Sequence, residues 1–423
     1  MTLSLEKTDG LRYGDPGMRR VRLGLFAAGL ATFALLYTPQ PLLPLLSRAF
    51  HASPAASSLA MSAGTFALAV AVIPMSSLSE VRGRREVMTV SVIAAAVLGL
   101  IAPLSPSLPV LIGVRVLEGF ALAGMPATAM AYLAEEVDAG DLGKAMGLYI
   151  AGNAVGGLGG RVIAGVLAEH GGWRVATAGV SALALGCAVA FAVLLPKSRF
   201  FNPSAPRFRV LLATLARNLA DPGLLRLYLI GFALMGAFVT VYNYLTFRLS
   251  GAPFDLSTSV IGALFTVYLA GTWSSAMAGR LADRAGRRTV LAAGVAVAIA
   301  GVALTLPTSL ACIVAGLIVL TAGFFAAHSV ASGWVSGRAR VAPAQASALY
   351  LCLYYVGSSV AGSAGGIFYA SGGWPLTAAF AAALLAVALV SAASLTGRRP
   401  GAPSGSGITA RLGNQTGMRN GCG

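Results

Sequence analysis

The sequence predicts an all-α integral membrane protein of twelve transmembrane helices arranged as two pseudo-symmetric six-helix halves. Three observations predict it. Of 423 residues, 57% are hydrophobic and 10% charged, too few charges to cover a water-soluble surface, where roughly a quarter is the norm. Apolar stretches of about 20 residues, the length that crosses a bilayer, recur along the chain. The second half also repeats the first at a nearly constant offset, an arrangement found in carriers whose site lies between two homologous halves.

The spans run in order over 21–47, 57–79, 86–105, 108–134, 143–168 and 173–195 in the first half. In the second half they cover 225–249, 257–280, 287–306, 309–335, 343–369 and 374–396. Span one carries Pro39, Pro41 and Pro44 in six residues, which frees backbone carbonyls and kinks the helix. Pro103-Leu104-Ser105-Pro106 separates spans three and four, Pro307-Thr308-Ser309 separates nine and ten, and Gly171-Gly172 and Gly372-Gly373 punctuate five/six and eleven/twelve. Such short connectors force neighbouring helices antiparallel. The longest polar break, 197–224, divides the halves 21–196 and 225–396; residues 1–20 form a leading tail, and 397–423, rich in Gly, Ser and Arg, read as a disordered tail.

Lys and Arg number 30 against 14 acids, for a net charge of +16. The basic residues cluster between apolar runs, so the excess reads as topology and not as nucleic-acid binding. With the N-terminus in the cytoplasm, 25 of the 30 fall on that side. The expectation is a multi-pass protein of a bacterial inner membrane, in contact with lipid, with both termini cytoplasmic and monomeric. The first apolar run is too long for a signal peptide and stays as a span. Cys187, Cys312, Cys352 and Cys422 have no metal-ligand or redox spacing, so neither metal nor cofactor is expected. No HExxH, GxSxG or nucleotide-binding loop occurs, which argues against a membrane enzyme and against ATP-driven transport.

At an offset of about 203, SSLSEVRGRREV falls on GRLADRAGRRTV: Glu80 meets Asp283, Gly83 meets Gly286, and Arg84 and Arg85 meet Arg287 and Arg288. Gly152, Gly157 and Gly160 meet Gly357, Gly362 and Gly365, and Trp173 meets Trp374 two residues out of step. From 21 to 396 the chain resembles the major facilitator superfamily of secondary transporters. That family's loop motif, Gly-x3-Asp-x2-Gly-Arg-Arg/Lys, stands complete as Gly279, Asp283, Gly286, Arg287 and Arg288, with Ser76 and Glu80 altered in the first copy. The resemblance implies a gate here. Physically, glycine suits a tight turn, and a carboxylate beside arginines can bridge the halves or meet a helix N-terminus.

A second family pattern, Gly-x8-Gly-x3-Gly-Pro-x2-Gly-Gly, belongs to span five of antiporters. It reads Gly143, Gly152, Gly156, Gly157, Gly160 and Arg161 here. The resemblance implies efflux; close helix packing by the glycines is the plainer reading. The stretches FALLYTPQPLLPLL, YIAGNAVGGLGGR and AGFFAAHSVASGW look like the bacterial branch described as arabinose-efflux-like permeases.

Ionisable groups within spans are functional candidates by default. Arg115 and Glu118 in span four share a helix face at i, i+3. Counting ~1.5 Å per residue puts Arg161 of span five near the depth of Arg115, and the expectation is an Arg115–Glu118–Arg161 cluster. Arg115 matches the arginine of the family motif Arg-x2-Gln-Gly, which the resemblance links to proton coupling. Glu118 is then the proton carrier, and a permanent ion pair is the competing reading. Tyr37, Gln40, Tyr242 and Asn243 in spans one and seven are the expected substrate contacts, because those spans line the family's cavity. His328 in span ten is a secondary proton candidate, more simply a neutral interhelical hydrogen-bonding group. Tyr350, Tyr354 and Tyr355 line the cavity or pack between helices. The expected function is proton-coupled efflux of a small organic solute by alternating access. Proton-coupled uptake, or facilitated diffusion of a sugar or organic anion, is the alternative.

Overall fold

The computed structural model describes residues 10–203, 208–339 and 342–395; the tail expected from 397 lies outside them. Among the described residues every element is helical, apart from one isolated bridge between Leu11 and Val137.

Proline loss of a donor breaks span one into α1 (Pro16–Tyr37) and α2 (Pro39–Ala49), hinged at Thr38. α3 (Pro54–Arg82) and α4 (Arg84–Ile101) meet at Gly83. α5 (Leu108–Leu122) and α6 (Pro126–Glu136) together make span four, again interrupted ahead of a proline. α7 (Leu142–Leu194) joins spans five and six across a break at Gly171-Gly172. The second half begins with α9 (Pro222–Leu249), after a helix α8 (Phe208–Ala220) within the stretch expected to be a polar break. Span eight is α10 (Thr258–Ala263), a short 3-10 turn, and α11 (Tyr268–Ala285). α12 (Arg287–Leu304) and α13 (Leu310–Arg338) follow, and α14 (Pro343–Ala393) joins the last two spans across Gly372-Gly373. Ten segments are long and apolar enough to cross a membrane; two of them reverse at their Gly-Gly breaks, which gives twelve crossings.

The repeat extends to backbone angles. Gly171 and Gly172 take φ of −158° and 68°, and Gly372 and Gly373 take −149° and 60°. Gly83 and Gly286, at φ 106° and 86°, make the equivalent turns after α3 and α11. A side chain at such angles is strained, so glycine is required there. The other motif glycine is different: Gly279 lies inside α11, where an added Cβ would meet open space. Of the two motif glycines, it is Gly286 that makes the turn.

Small residues set the tightest helix contacts. A Cβ on Gly152 or Gly156 would collide with the carbonyl oxygens of Phe26 and Leu30, and one on Gly160 would lie 2.7 Å from Ala34 Cα. This seam holds α7 against α1. Its counterpart holds α14 against α9, where a Cβ on Gly357 would strike Phe232 O. Gly157 is turned from the seam, toward Tyr37 and the Arg161 side chain.

The two halves touch at the end opposite the loop motifs. Gln40 bonds Asn243, Arg48 bonds Ser250 O, Tyr244 bonds Ser58, Glu169 accepts from Ser259 N, and Thr65 meets Ser359. At the motif end, no hydrogen bond or ion pair joins α1–α7 to α9–α14 among the described residues. The hydrogen bonds between the halves are thus gathered at one end.

Candidate functional site

The hinge in span one builds the first cluster. Pro39 has no N–H to give Leu35 O, and the Arg115 guanidinium takes that carbonyl at 3.2 Å and Leu36 O at 2.9 Å. Its Nε donates to Ala60 O at 3.1 Å and its Nη1 to Glu118 Oε2 at 2.6 Å. Both side chains are buried, at 3% and 1% exposure. The helix α5 approaches closely because Gly64 and Gly119 face each other there. Glu118 Oε1 is buried without a hydrogen-bond partner among the described residues, and a polar atom left unmet in a membrane interior is costly.

Arg161 does not join this pair, contrary to the expected three-member cluster. Its Nε donates to Gln40 Oε1 at 2.7 Å and its Nη1 to Gly157 O at 2.5 Å. Equal depth did not bring the arginines together. The glycine seam fixes the rotation of α7 so that Arg161 points between the halves. Its guanidinium lies over the rings of Tyr37 at 4.0 Å and of Phe265 and Tyr268 at 4.9 Å each.

Two of the four expected substrate contacts, Tyr37 and Gln40, touch it, and a third, Asn243, lies one hydrogen bond further on. Gln40 passes the contact on, its Nε2 donating to Asn243 Oδ1 at 2.9 Å across the interface of the halves. Asn243 Nδ2 is buried with no hydrogen-bond partner among the described residues. The two amides, one from each half, meet where the halves touch. Tyr242, the fourth, packs at 5.3 Å against Phe265 and at 5.1 Å against Tyr268, and its hydroxyl pairs with Thr321 at 2.7 Å. Phe265 and Tyr268 were not singled out from the sequence. The 3-10 turn of span eight places them, and no periodicity in an apolar run announces such a turn.

His328 Nδ1 meets Tyr350 Oη at 2.9 Å, with its ring 4.7 Å from Tyr354 and 5.9 Å from Phe324. It thus belongs to an aromatic wall formed by α13 and α14. In the first loop motif, Arg84 pairs with Glu135 at 2.9 Å, and Arg85 caps the end of α7 through Leu195 O at 2.8 Å. Glu80 is half-buried and Asp283, Arg287 and Arg288 are exposed. Neither motif carboxylate makes an ion pair among the described residues. No cluster among the described residues has the His, Cys, Asp and Glu needed to hold a metal ion.

The pattern that defines the Major Facilitator Superfamily matches residues 25–252 and 249–414. The chain belongs to the major facilitator superfamily. It is 43% identical to the MFS-type transporter YybF of Bacillus subtilis (strain 168) over 364 residues, covering 86% of this chain and 90% of that one. It is also 43% identical to the inner membrane transport protein YnfM of Escherichia coli (strain K12) over 380 residues, covering 90% and 91%. Among solved structures, it superposes with a TM-score of 0.72 at 17% identity on a bacterial homologue of the human lysosomal transporter Spinster, in an inward-facing and occupied conformation. That match covers 90% of this chain and 96% of the other. The D-xylose-proton symporter gives a TM-score of 0.67, also at 17% identity, over 89% and 95%. These distant structures share the fold. As a major facilitator transporter, the chain is a multi-pass protein of a plasma membrane that carries small molecules and is not an enzyme.

Proposed function

We propose that this transporter exports a small organic solute in exchange for protons, acting as a monomer that alternates access to a site between its halves. Both termini are cytoplasmic in this reading, which places the loop motifs, and the end where no hydrogen bond joins the halves among the described residues, on the cytoplasmic side. The observation that carries proton coupling is Glu118, an acid buried at 1% exposure with one oxygen paired to Arg115 and the other unpaired among the described residues. When the halves rock, the Gln40–Asn243 contact pulls on α2 and bends the span-one hinge at Thr38 that feeds Arg115 its carbonyl partners. Loosening the Arg115–Glu118 contact favours protonation, and remaking it releases the proton. Rocking also supplies the partners that the motif end lacks here: Glu80 and Asp283 bridge toward the other half when the cytoplasmic end closes. Tyr37, Gln40, Tyr242 and Asn243 receive the solute, and His328 and the tyrosines beside it form the inner wall of the cavity.

The direction of export rests on the span-five glycine series that fits α7 to α1, the part of the antiporter pattern this chain retains. Reconstitution into liposomes tests the coupling. Glu118→Gln is expected to abolish accumulation driven by a proton gradient while leaving solute exchange at equal pH intact. Uphill transport at the rate of the unaltered chain would remove Glu118 from the mechanism.

A further inference from the structure

Arg161 is a buried positive charge with no carboxylate partner among the described residues. It is 2% exposed, and its hydrogen bonds go to neutral oxygens, Gln40 Oε1 and Gly157 O. Arginine keeps its proton in a protein interior. The other intramembrane arginine deep in a span, Arg115, is neutralised by Glu118 at 2.6 Å. Three aromatic faces, Tyr37, Phe265 and Tyr268, offset part of the desolvation of Arg161. An uncompensated cation of this kind is costly to keep unless it has a ligand to meet. It sits where the halves join, beside an amide donor, Asn243 Nδ2, that is buried and unpaired among the described residues.

We infer that the transported solute is an organic carboxylate with a flat aromatic body, and that Arg161 is its anchor. This rests on the reading of the cavity as the transport site and gives that site its substrate class. A carboxylate fits the guanidinium fork with two parallel hydrogen bonds. In doing so it replaces Gln40 Oε1, and the freed Gln40 and Asn243 amides turn their N–H groups on the same ligand. Tyr242 stacks on Phe265 and Tyr268 meets both edge-on, an aromatic wall against which an aromatic body lies. Ligand binding thereby breaks the Gln40–Asn243 bond between the halves, which links occupancy to their separation. Arg161 therefore belongs with substrate recognition and not with the proton pair.

Binding to the purified full chain in detergent, by calorimetry and thermal shift, tests this without transport. The probes are benzoate, 4-hydroxybenzoate, benzamide, benzylamine and cyclohexanecarboxylate. The aromatic carboxylates are expected to bind at least about tenfold more tightly than benzamide, the loss expected when a charged hydrogen bond becomes neutral. They are also expected to bind more tightly than cyclohexanecarboxylate, with no binding of benzylamine. Arg161→Gln removes the preference for charge, and Arg161→Lys keeps it at lower affinity. Gln40→Glu places a carboxylate on Arg161 from within the protein, so it retains the folded state and loses benzoate binding. Equal affinity for benzoate and benzamide, or an undiminished preference in Arg161→Gln, overturns the inference. A normal binding profile with no solute flux in liposomes leaves the anchor standing and removes the transport mechanism. Flux of a sugar or amine with no carboxylate binding does the reverse.

Discussion

At the scale of single residues, Gln40 joins three features of the site. It accepts from Arg161, donates to Asn243 and follows the proline that opens span one. Gln40→Leu leaves a guanidinium N–H and an amide oxygen unpaired in the interior, an expected loss of roughly 1–3 kcal/mol for each. Thermal unfolding in detergent measures it; a variant as stable as the parent would show that the amide bridge does not hold the halves together. The Arg115–Glu118 pair was legible in the sequence, because i, i+3 spacing on a helix fixes which side chains share a face. Arg161 was not. Counting residues gives depth along a helix, but rotation about its axis depends on which glycines face α1, and that is settled by packing. The Gln40–Asn243 contact was also hidden. Both residues were expected to face the solute, and nothing in either helix's sequence says which side chains of spans one and seven meet.

At the scale of elements, the glycine seam and the ends of helices decide stability. Gly156→Leu drives a side chain into the Leu30 carbonyl, whereas Gly159→Leu points into open space. The first is expected to cost about 1–3 kcal/mol or prevent folding, as overpacking does, and the second to leave the melting temperature unchanged. Similar losses for both would mean that the seam does not set the α1–α7 distance. Asp221 makes a different closure: its Oδ1 accepts from Gly223 N at 2.7 Å, Leu224 N at 3.2 Å and Arg338 Nη2 at 2.8 Å, tying the start of α9 to the end of α13. Partial burial opposes its ionisation, but the Arg338 and backbone hydrogen bonds outweigh this and hold the carboxyl below its ordinary range. A depressed folded value means that the stabilisation is complete above pH ~4 and is lost as pH falls through that value. Asp221→Asn is expected to melt about 1 kcal/mol less stably at neutral pH and to flatten the acid limb of a stability profile. An unchanged acid limb would contradict the assignment. The Gly-Gly reversals were visible as dipeptides, since glycine is what such backbone angles require; the 3-10 turn that presents Phe265 and Tyr268 left no comparable mark.

At the scale of the molecule, the contacts between halves lie at one end, from Thr65 and Ser359 outward to Arg48 and Ser250. Each half is held internally by its own glycine seam, so the halves can move as bodies about the narrow contact region. The twelve crossings and their duplication were readable from hydropathy and from the repeated loop, because both follow from local chemistry. Which end gathers the contacts was not, because the same sequence must support both conformations with little difference in free energy. Alternating access predicts that introduced cysteines change reactivity in opposite senses. With a bound aromatic carboxylate, Ser62→Cys near the end where the halves are hydrogen-bonded gains reactivity toward a polar maleimide, while Ser329→Cys toward the motif end loses it. Parallel changes would indicate loosening of the whole fold and not rocking. The most direct test of proton-coupled export is the internal pH of inverted membrane vesicles holding an imposed proton gradient, challenged in turn with aromatic carboxylates, sugars and hydrophobic amines. The account predicts that the carboxylates dissipate the gradient with the unaltered chain and fail to do so with Glu118→Gln. A gradient that stays intact while labelled carboxylate equilibrates across the membrane would contradict it.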